Sequence, residues 1–203
     1  MIVTNYTPED LKKLPLRAIV ALAARCARRV ESLSLLPDGH EDRARCRTAI
    51  DGAIRLAEDF ARGSPCRAVP SVIRDVEACR AIAQGDYVRE TAVAAVVFSA
   101  HAAAAAIEGL GLRDEPAEVN LIGARLPNPF PQLANVAADL AARDAFTAAV
   151  DAAGAAGHTD TFTKGAVQDY QALLRLGLGS FPEAGNPIDP SSRGPLGPRE
   201  PTR

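Results

Sequence analysis

The architecture of this chain depends on the stretch TAVAAVVFSAHAAAAAIEG, which runs from Thr91 to Gly109. Residues 91–107 carry no formal charge apart from a proton that His101 can take up. A membrane span needs about 20 strongly apolar residues and is usually flanked by aromatic or basic residues. This run is shorter, its main component is alanine, and such flanks are missing. A helix that is apolar on nearly every side belongs in the middle of a bundle, so we predict a core helix over residues 86–110.

Apolar residues recur at helical three-four spacing in several other segments of the chain. We predict main helices over residues 15–33, 41–62, 71–84, 132–153 and 161–176, and a short helix that begins at Thr7 and Pro8. Ser71 and Asp86 are the expected N-caps of two helices. Gly63 and Gly85 are the expected stops of two others. Since no stretch alternates as a strand does, the predicted fold class is all-α, a single bundle of five or six main helices.

The composition changes after Gly177, where helical periodicity ends and proline and glycine become frequent. We therefore expect a helical domain over residues 1–179 and a Pro/Gly-rich tail over residues 180–203, extended or disordered. Residues 111–131 form a connection, and its segment LPNPFP (126–131) has prolines at alternate positions, which favours an extended chain.

Bulk composition limits the classes of partner. The 203 residues are 47% hydrophobic and 24% charged, which is typical of one globular domain. A net charge of -2 gives no overall attraction to nucleic acid or anionic lipid. Aromatic residues make up only 4%, and tryptophan is absent, which disfavours a surface that stacks on bases. About one residue in five is alanine, as suits closely packed helices.

Motifs of catalysis and metal binding are missing from the sequence. There is no GxSxG, GxxxxGK[ST] or GxGxxG motif, and no CxxC or HExxH. HED (40–42) and GHTD (157–160) are interpreted as helix starts, where acids are favoured. We expect small reduced thiols on helices at four positions, with disulfides or an irregular metal site as alternatives: Cys26, Cys46, Cys66 and Cys79. No catalytic residue, cofactor or metal is assigned, and a non-enzyme is favoured over an enzyme.

His101 is the one titratable side chain in the middle of the uncharged stretch. It shares a helical stripe with Glu90 and Glu108, but each lies about 10 Å or more away along the axis and cannot orient the ring. We expect the imidazole to bond to a neighbouring helix or to lie at the bundle edge. A small enzyme or metal-binding protein that uses His101 is kept as an alternative function.

A run of basic residues is the best candidate for a partner site. Between Leu11 and Val30 there are six basic residues and no acid. Four of them collect opposite the apolar stripe of the predicted helix and are the candidate partner-binding residues: Arg17, Arg25, Arg28 and Arg29. The alternative is a solvated face that is neutralised by Glu31, Glu41, Asp51 or Glu58. No aromatic residue interleaves the arginines, which disfavours nucleic acid.

Four segments resemble the uncharacterised alanine- and arginine-rich helical proteins expanded in planctomycete bacteria: LPLRAIVALAARCARRV (14–30), AIRLAEDF (53–60), FPEAGNPIDP (181–190) and GPLGP (194–198). The resemblance implies a helical intracellular protein and brings no activity or cofactor. It also implies that the tail docks on the bundle as an extended segment, with Phe181, Ile188 and Leu196 as anchors.

The sequence therefore predicts a non-enzymatic interaction or scaffold domain that binds another protein. A nucleic-acid binder that uses the arginine face of residues 17–29 is the second alternative, beside the His101 protein. We expect a cytoplasmic location without a membrane span, since no export signal is convincing. Self-association is a further expectation, because large side chains are few.

Overall fold

The computed structural model of the chain describes residues 8–66, 68–112, 119–121, 124–126 and 131–198. Within these ranges it contains seven helices and one pair of short strands. In chain order they are α1 (Pro8–Leu11), α2 (Leu16–Ser34), α3 (Arg43–Arg62), α4 (Val69–Ile82), α5 (Tyr87–Gly109), β1 (Val119–Leu121), β2 (Ala124–Leu126), α6 (Pro131–Ala155) and α7 (Thr159–Arg175). The predicted all-α class is confirmed, with α2–α7 as six main helices.

Helix α5 lies at the centre of the bundle and packs against α2, α3, α4 and α6. Residues 92–97 are all buried, so the first half of the helix is enclosed on every side, whereas His101, Ala105 and Glu108 form a partly exposed strip in the second half. Most of the buried residues are alanines, whose short side chains let neighbouring helices approach closely. By length and composition α5 could also cross a membrane, but 67% of its most apolar 18-residue window is buried inside the bundle. That burial is what a core helix requires, and a membrane span does not need it.

Two helix ends agree with the predicted caps, and two do not. Asp86 accepts a hydrogen bond from the Arg89 amide at 3.1 Å and caps α5. Gly63 ends α3 in the left-handed conformation, with φ of 71°. The prediction for Ser71 is wrong, because α4 already begins at Val69, with a proline in its first turn. Gly85 does not stop α4 either; Ala83 is its C-cap, and Gly85 lies in the turn that follows.

The connection between α5 and α6 contains the antiparallel pair β1–β2, in which Val119 pairs with Leu126. No strand was predicted there, because strands of three residues are too short to show an alternating pattern. The fold class is unchanged, since the pair is small beside the six helices. Residues 127–130 of the proline-rich segment lie outside the described residues, as does Thr7.

The segment after α7 crosses the bundle without regular secondary structure. Ile188 and Leu196 are buried, and Phe181 packs against the core. All three side chains that were expected as anchors therefore contact the bundle. The tail returns the chain to the end of α3 and to α2, which carries the predicted partner-binding arginines.

Candidate functional site

A buried charge cluster joins α2 to α7. Asp169 Oδ2 lies 2.7 Å from Arg25 Nε and 2.6 Å from Arg29 Nη1. The three side chains are between 1% and 3% exposed. Two guanidinium groups thus share one carboxylate in a place almost free of solvent, which leaves one positive charge in excess. Buried charges need partners of this kind, because their desolvation costs several kcal/mol per ion.

The helix α7 makes room for this cluster with a glycine. A methyl group on Gly165 would lie 2.8 Å from Arg29 Nε, which is closer than a real contact. Gly165 is one helical turn before Asp169, on the same side of α7. The Arg29 guanidinium can therefore lie against the α7 backbone and reach the carboxylate.

Carbonyl groups of the tail complete the coordination of Arg25. Arg25 Nη1 donates to the carbonyl oxygens of Pro190 at 3.1 Å and Gly197 at 3.2 Å, and Nη2 donates to Leu196 at 3.4 Å. Carbonyl oxygens carry partial negative charge, so they offset part of the excess positive charge. The tail thus solvates one guanidinium edge in place of water.

Arg28 faces α3 and binds three carboxylates. Its Nε donates to Glu58 at 3.0 Å, and its Nη1 donates to Asp51 at 2.9 Å and Glu31 at 3.1 Å. Burial alone would lower the pKa of Arg28, but the hydrogen bonds to Glu58 and Asp51 and the charge of Glu31 raise it above its ordinary value. Four acids were predicted to neutralise the arginine face. Three of them, Glu31, Asp51 and Glu58, pair with Arg28.

The edge of the arginine face is covered by the tail. Arg17 Nη1 donates to the carbonyl oxygen of Gly185 at 2.8 Å. Arg62, at the end of α3, donates to Asp189 Oδ1 at 3.2 Å. The backbone and hydroxyl of Ser191 also donate to Asp189, and these hydrogen bonds, with that of Arg62, lower the pKa of the Asp189 carboxyl.

The expectation of an exposed arginine face is wrong for its central residues. The four arginines lie opposite the main apolar stripe, but that side of α2 is covered by α7, α3 and the tail. Arg25 and Arg29 are buried, and Arg17 and Arg28 are half-buried. The sequence carried one signal that was missed: Asp169 lies on the apolar stripe of α7, and an acid on such a stripe indicates a buried cation opposite it.

His101 lies at the α4–α5 contact, where its Nε2 is 3.0 Å from Glu77 Oε1. The predicted hydrogen bond to a neighbouring helix is thus confirmed, and both side chains are partly exposed. Nearby, the Arg80 guanidinium lies 5.4 Å above the Phe98 ring. Among the described residues no three His, Cys, Asp or Glu side chains lie close enough to hold a metal ion. A function that uses His101 stays a prediction.

The four cysteines are free thiols. Cys26, Cys46 and Cys79 are buried on helices, whereas Cys66 lies in the loop after α3, and its predicted helical position is wrong. Burial raises the pKa of Cys26 to about 12 and that of Cys66 to about 11. Burial and a hydrogen bond to Cys46 raise the pKa of Cys79 to about 12. The thiols of Cys26, Cys66 and Cys79 are therefore poor nucleophiles at neutral pH.

A shallow groove of about 650 Å³ runs between α3 and α4. Small side chains form most of its wall, and two charged residues complete it: Ala44, Thr48, Ala49, Gly52, Val72, Ala78, Arg45 and Asp75. Arg45 is already paired with Asp42 at 2.9 Å. The groove offers apolar contact, but few convergent polar groups that would specify a ligand.

The outer face of α6 carries the largest exposed aliphatic stripe of the described helices. Leu133, Val136 and Leu140 are 63%, 46% and 50% exposed. The same stripe continues towards the end of α6 with exposed Asp144 and Asp151. One side of this helix is thus apolar in its first half and acidic in its second half.

The chain matches no profile of a known protein family, no curated protein and no solved structure. The resemblance to the planctomycete proteins therefore stays a prediction, and any proposal of function depends on the geometry described above.

Proposed function

We propose that this chain is a helical interaction domain that binds another protein through the outer face of α6. The observation that carries the proposal is the exposed stripe of Leu133, Val136 and Leu140. These positions follow helical spacing and form one continuous apolar strip two turns long. Single exposed apolar residues are ordinary, whereas a contiguous strip is typical of a surface that is covered by a partner.

The α6 face suits a partner better than the arginine face does. Arg25, Arg28 and Arg29 are engaged with carboxylates of their own chain. A protein or nucleic acid that bound them would have to break these ion pairs and displace the tail. Binding at α6 requires neither change, since Leu133 and Leu140 already face solvent.

Charge complementarity supports one kind of partner. Asp144 and Asp151 extend the apolar strip by three further turns and present negative charge to the same occupant. The matching ligand is an amphipathic helix with leucine-like residues along one half and lysine or arginine along the other. Complete burial of three aliphatic side chains contributes roughly 1.5–3 kcal/mol each, less for the part already covered, so a weak and reversible complex is expected.

The test uses the full chain and a synthetic amphipathic helix with leucines at three-four spacing followed by two lysines. We expect NMR shift changes confined to residues 133–151 and saturable binding in calorimetry. Leu133→Lys and Leu140→Lys should abolish both. Tyr87→Lys, which changes an equally exposed apolar residue on α5, should leave them intact.

Three outcomes would contradict the proposal. A peptide with glutamates in place of the lysines that binds equally well would remove the argument from charge. A dimer in light scattering that Leu140→Lys dissociates would assign the face to a second copy. If a soluble probe did not reach the exposed α6 side chains in the free chain, another part of the same chain would have to cover them.

A further inference from the structure

We propose that the groove between α2 and the end of α3 is a recognition site for a proline- and glycine-rich segment without regular secondary structure. Residues 181–198 of the same chain are its ligand in this structure, and the same segment of a second copy takes their place when the chain's own tail is displaced. The site lies apart from the α6 face, so the proposal does not depend on the proposed function.

The groove recognises mainly the backbone of the tail. The amides of Leu16 and Arg17 donate to the carbonyl oxygens of Glu183 and Ala184 at 2.8 Å and 3.0 Å. These amides belong to the first turn of α2, where no helical partner exists, and Pro15 offers no side-chain cap. The tail therefore caps α2 with its own carbonyl groups.

Further backbone contacts follow along the tail. The Ile188 amide donates to the carbonyl oxygen of Ala61 on α3 at 2.8 Å. Arg17 and Arg25 donate to tail carbonyl oxygens, as described above. Such contacts require accessible backbone carbonyl and amide groups, and they place few demands on side chains. This is the manner in which many peptide-binding grooves hold their ligands.

Two side chains and one ion pair fix the register of the tail. Ile188 and Leu196 are buried in the groove surface, at 2% and 9% exposure. Asp189, next to Ile188, pairs with Arg62 at 3.2 Å. The sequence Ile-Asp-Pro (188–190) therefore presents an apolar anchor, a carboxylate and a carbonyl acceptor to three different groups of the bundle.

Glycines on both surfaces permit the close approach. Gly63 has φ of 71°, and a methyl group there would lie 3.2 Å from Pro187 Cγ. On the tail, Gly185 has φ of 74°, and a methyl group there would lie 2.5 Å from Pro15 Cγ. A larger residue at Gly63 or Gly185 would therefore push the tail away from the groove.

The ion pairs that join α2 to α7 do not involve the tail. Asp169 makes them with both Arg25 and Arg29. Release of the tail would uncover one edge of Arg25 and two α2 amides. A tethered ligand competes at an effective concentration of about millimolar, so a second copy binds only where the tail in cis is weakened.

The experiment uses full chains and a labelled peptide of residues 181–198. In the chain Ile188→Asp/Leu196→Asp the two anchors of the tail are lost, and we expect saturable 1:1 binding of the peptide by fluorescence anisotropy. The unmodified chain should bind it at least about tenfold more weakly, because its own tail competes. A control peptide with Ile188→Asp should not bind.

Exchange between copies is tested by mixing two variants. The chain Gly63→Gln has a blocked groove and an intact tail, whereas Ile188→Asp/Leu196→Asp has an intact groove and no anchored tail. We expect a 1:1 heterodimer in analytical ultracentrifugation that neither variant forms alone. A folded anchor variant, helical by circular dichroism, that binds neither the peptide nor the Gly63→Gln chain would overturn the proposal.

A measurement on the unmodified chain decides the matter if a variant does not fold. Amide hydrogen exchange at Leu16, Arg17 and Ile188 should proceed through one common opening that is faster than the opening of the α2 middle, residues 21–24. Exchange of these three amides only together with the α2 middle would mean that the tail never leaves separately, and the proposal would fail.

Discussion

The substitution Asp169→Ala tests the buried charge cluster most severely. It leaves the Arg25 and Arg29 guanidinium groups, at 1% and 3% exposure, without a carboxylate. Removing one partner of a buried ion pair costs about 3–5 kcal/mol, because the remaining charge stays desolvated. Here two cations lose the same partner, so we expect the upper part of that range. Against a total stability of about 5–15 kcal/mol this is a large share.

Urea denaturation followed by circular dichroism measures the effect. With a slope of about 2–3 kcal/mol per molar urea for a domain of this size, the midpoint should fall by roughly 1.5–2.5 M. The control Asp151→Ala removes an exposed carboxylate on α6 and should change stability by less than about 0.5 kcal/mol. A loss below about 1 kcal/mol for Asp169→Ala would refute the reasoning, because it would mean that water reaches the two guanidinium groups.

Three further predictions concern other parts of the structure. Gly165→Ala should lower the free energy of unfolding by about 1–3 kcal/mol, because the added methyl group clashes with Arg29. The control Gly52→Ala, whose methyl group meets open space on α3, should raise the free energy of unfolding by about 0.5–1 kcal/mol. Equal changes in the melting temperatures of the two variants would contradict the contact between Gly165 and Arg29. The pKa of Asp189 is lowered in the docked tail, so its carboxylate stabilises docking. This contribution is fully present above the ordinary Asp pKa of about 3.9 and is lost as the pH falls through the lower pKa of the docked state. Tail NMR signals that already shift between pH 7 and 5 would contradict this. Cys66, with a pKa raised to about 11, is the only half-buried thiol of the four, so it should react first with a thiol reagent at pH 8. The variant Cys66→Ser should lack this first phase of the reaction. Uniform fast reaction of all four thiols would contradict the burial of the other three.

The main helices could be predicted from the sequence, because each contains a long periodic or uncharged run. In α5 six consecutive residues, 92–97, are buried, as a run without charges predicts. The end of α3 was predictable because Gly63 supplies the left-handed residue that ends it. The start of α4 was missed because a proline in its first turn outweighs the serine that follows.

The site was only half predictable. Helical periodicity predicts on which side of α2 the arginines lie, but it does not predict which other segments cover that side. The cover comes from Asp169 and from the tail, more than 140 residues further along the chain. The exposure of the α6 stripe could not be predicted, because it depends on the packing of α6 against α2 and α5.

The central claim is that the arginines of α2 belong to the interior and are closed off by α7 and the tail. NMR exchange of the guanidinium Nε–H protons tests it directly. Arg25 should give a resolved signal that exchanges with water far more slowly than that of Arg55, an exposed arginine on α3. Equal exchange rates at Arg25 and Arg55 would contradict the account, because they would place the cluster in solvent.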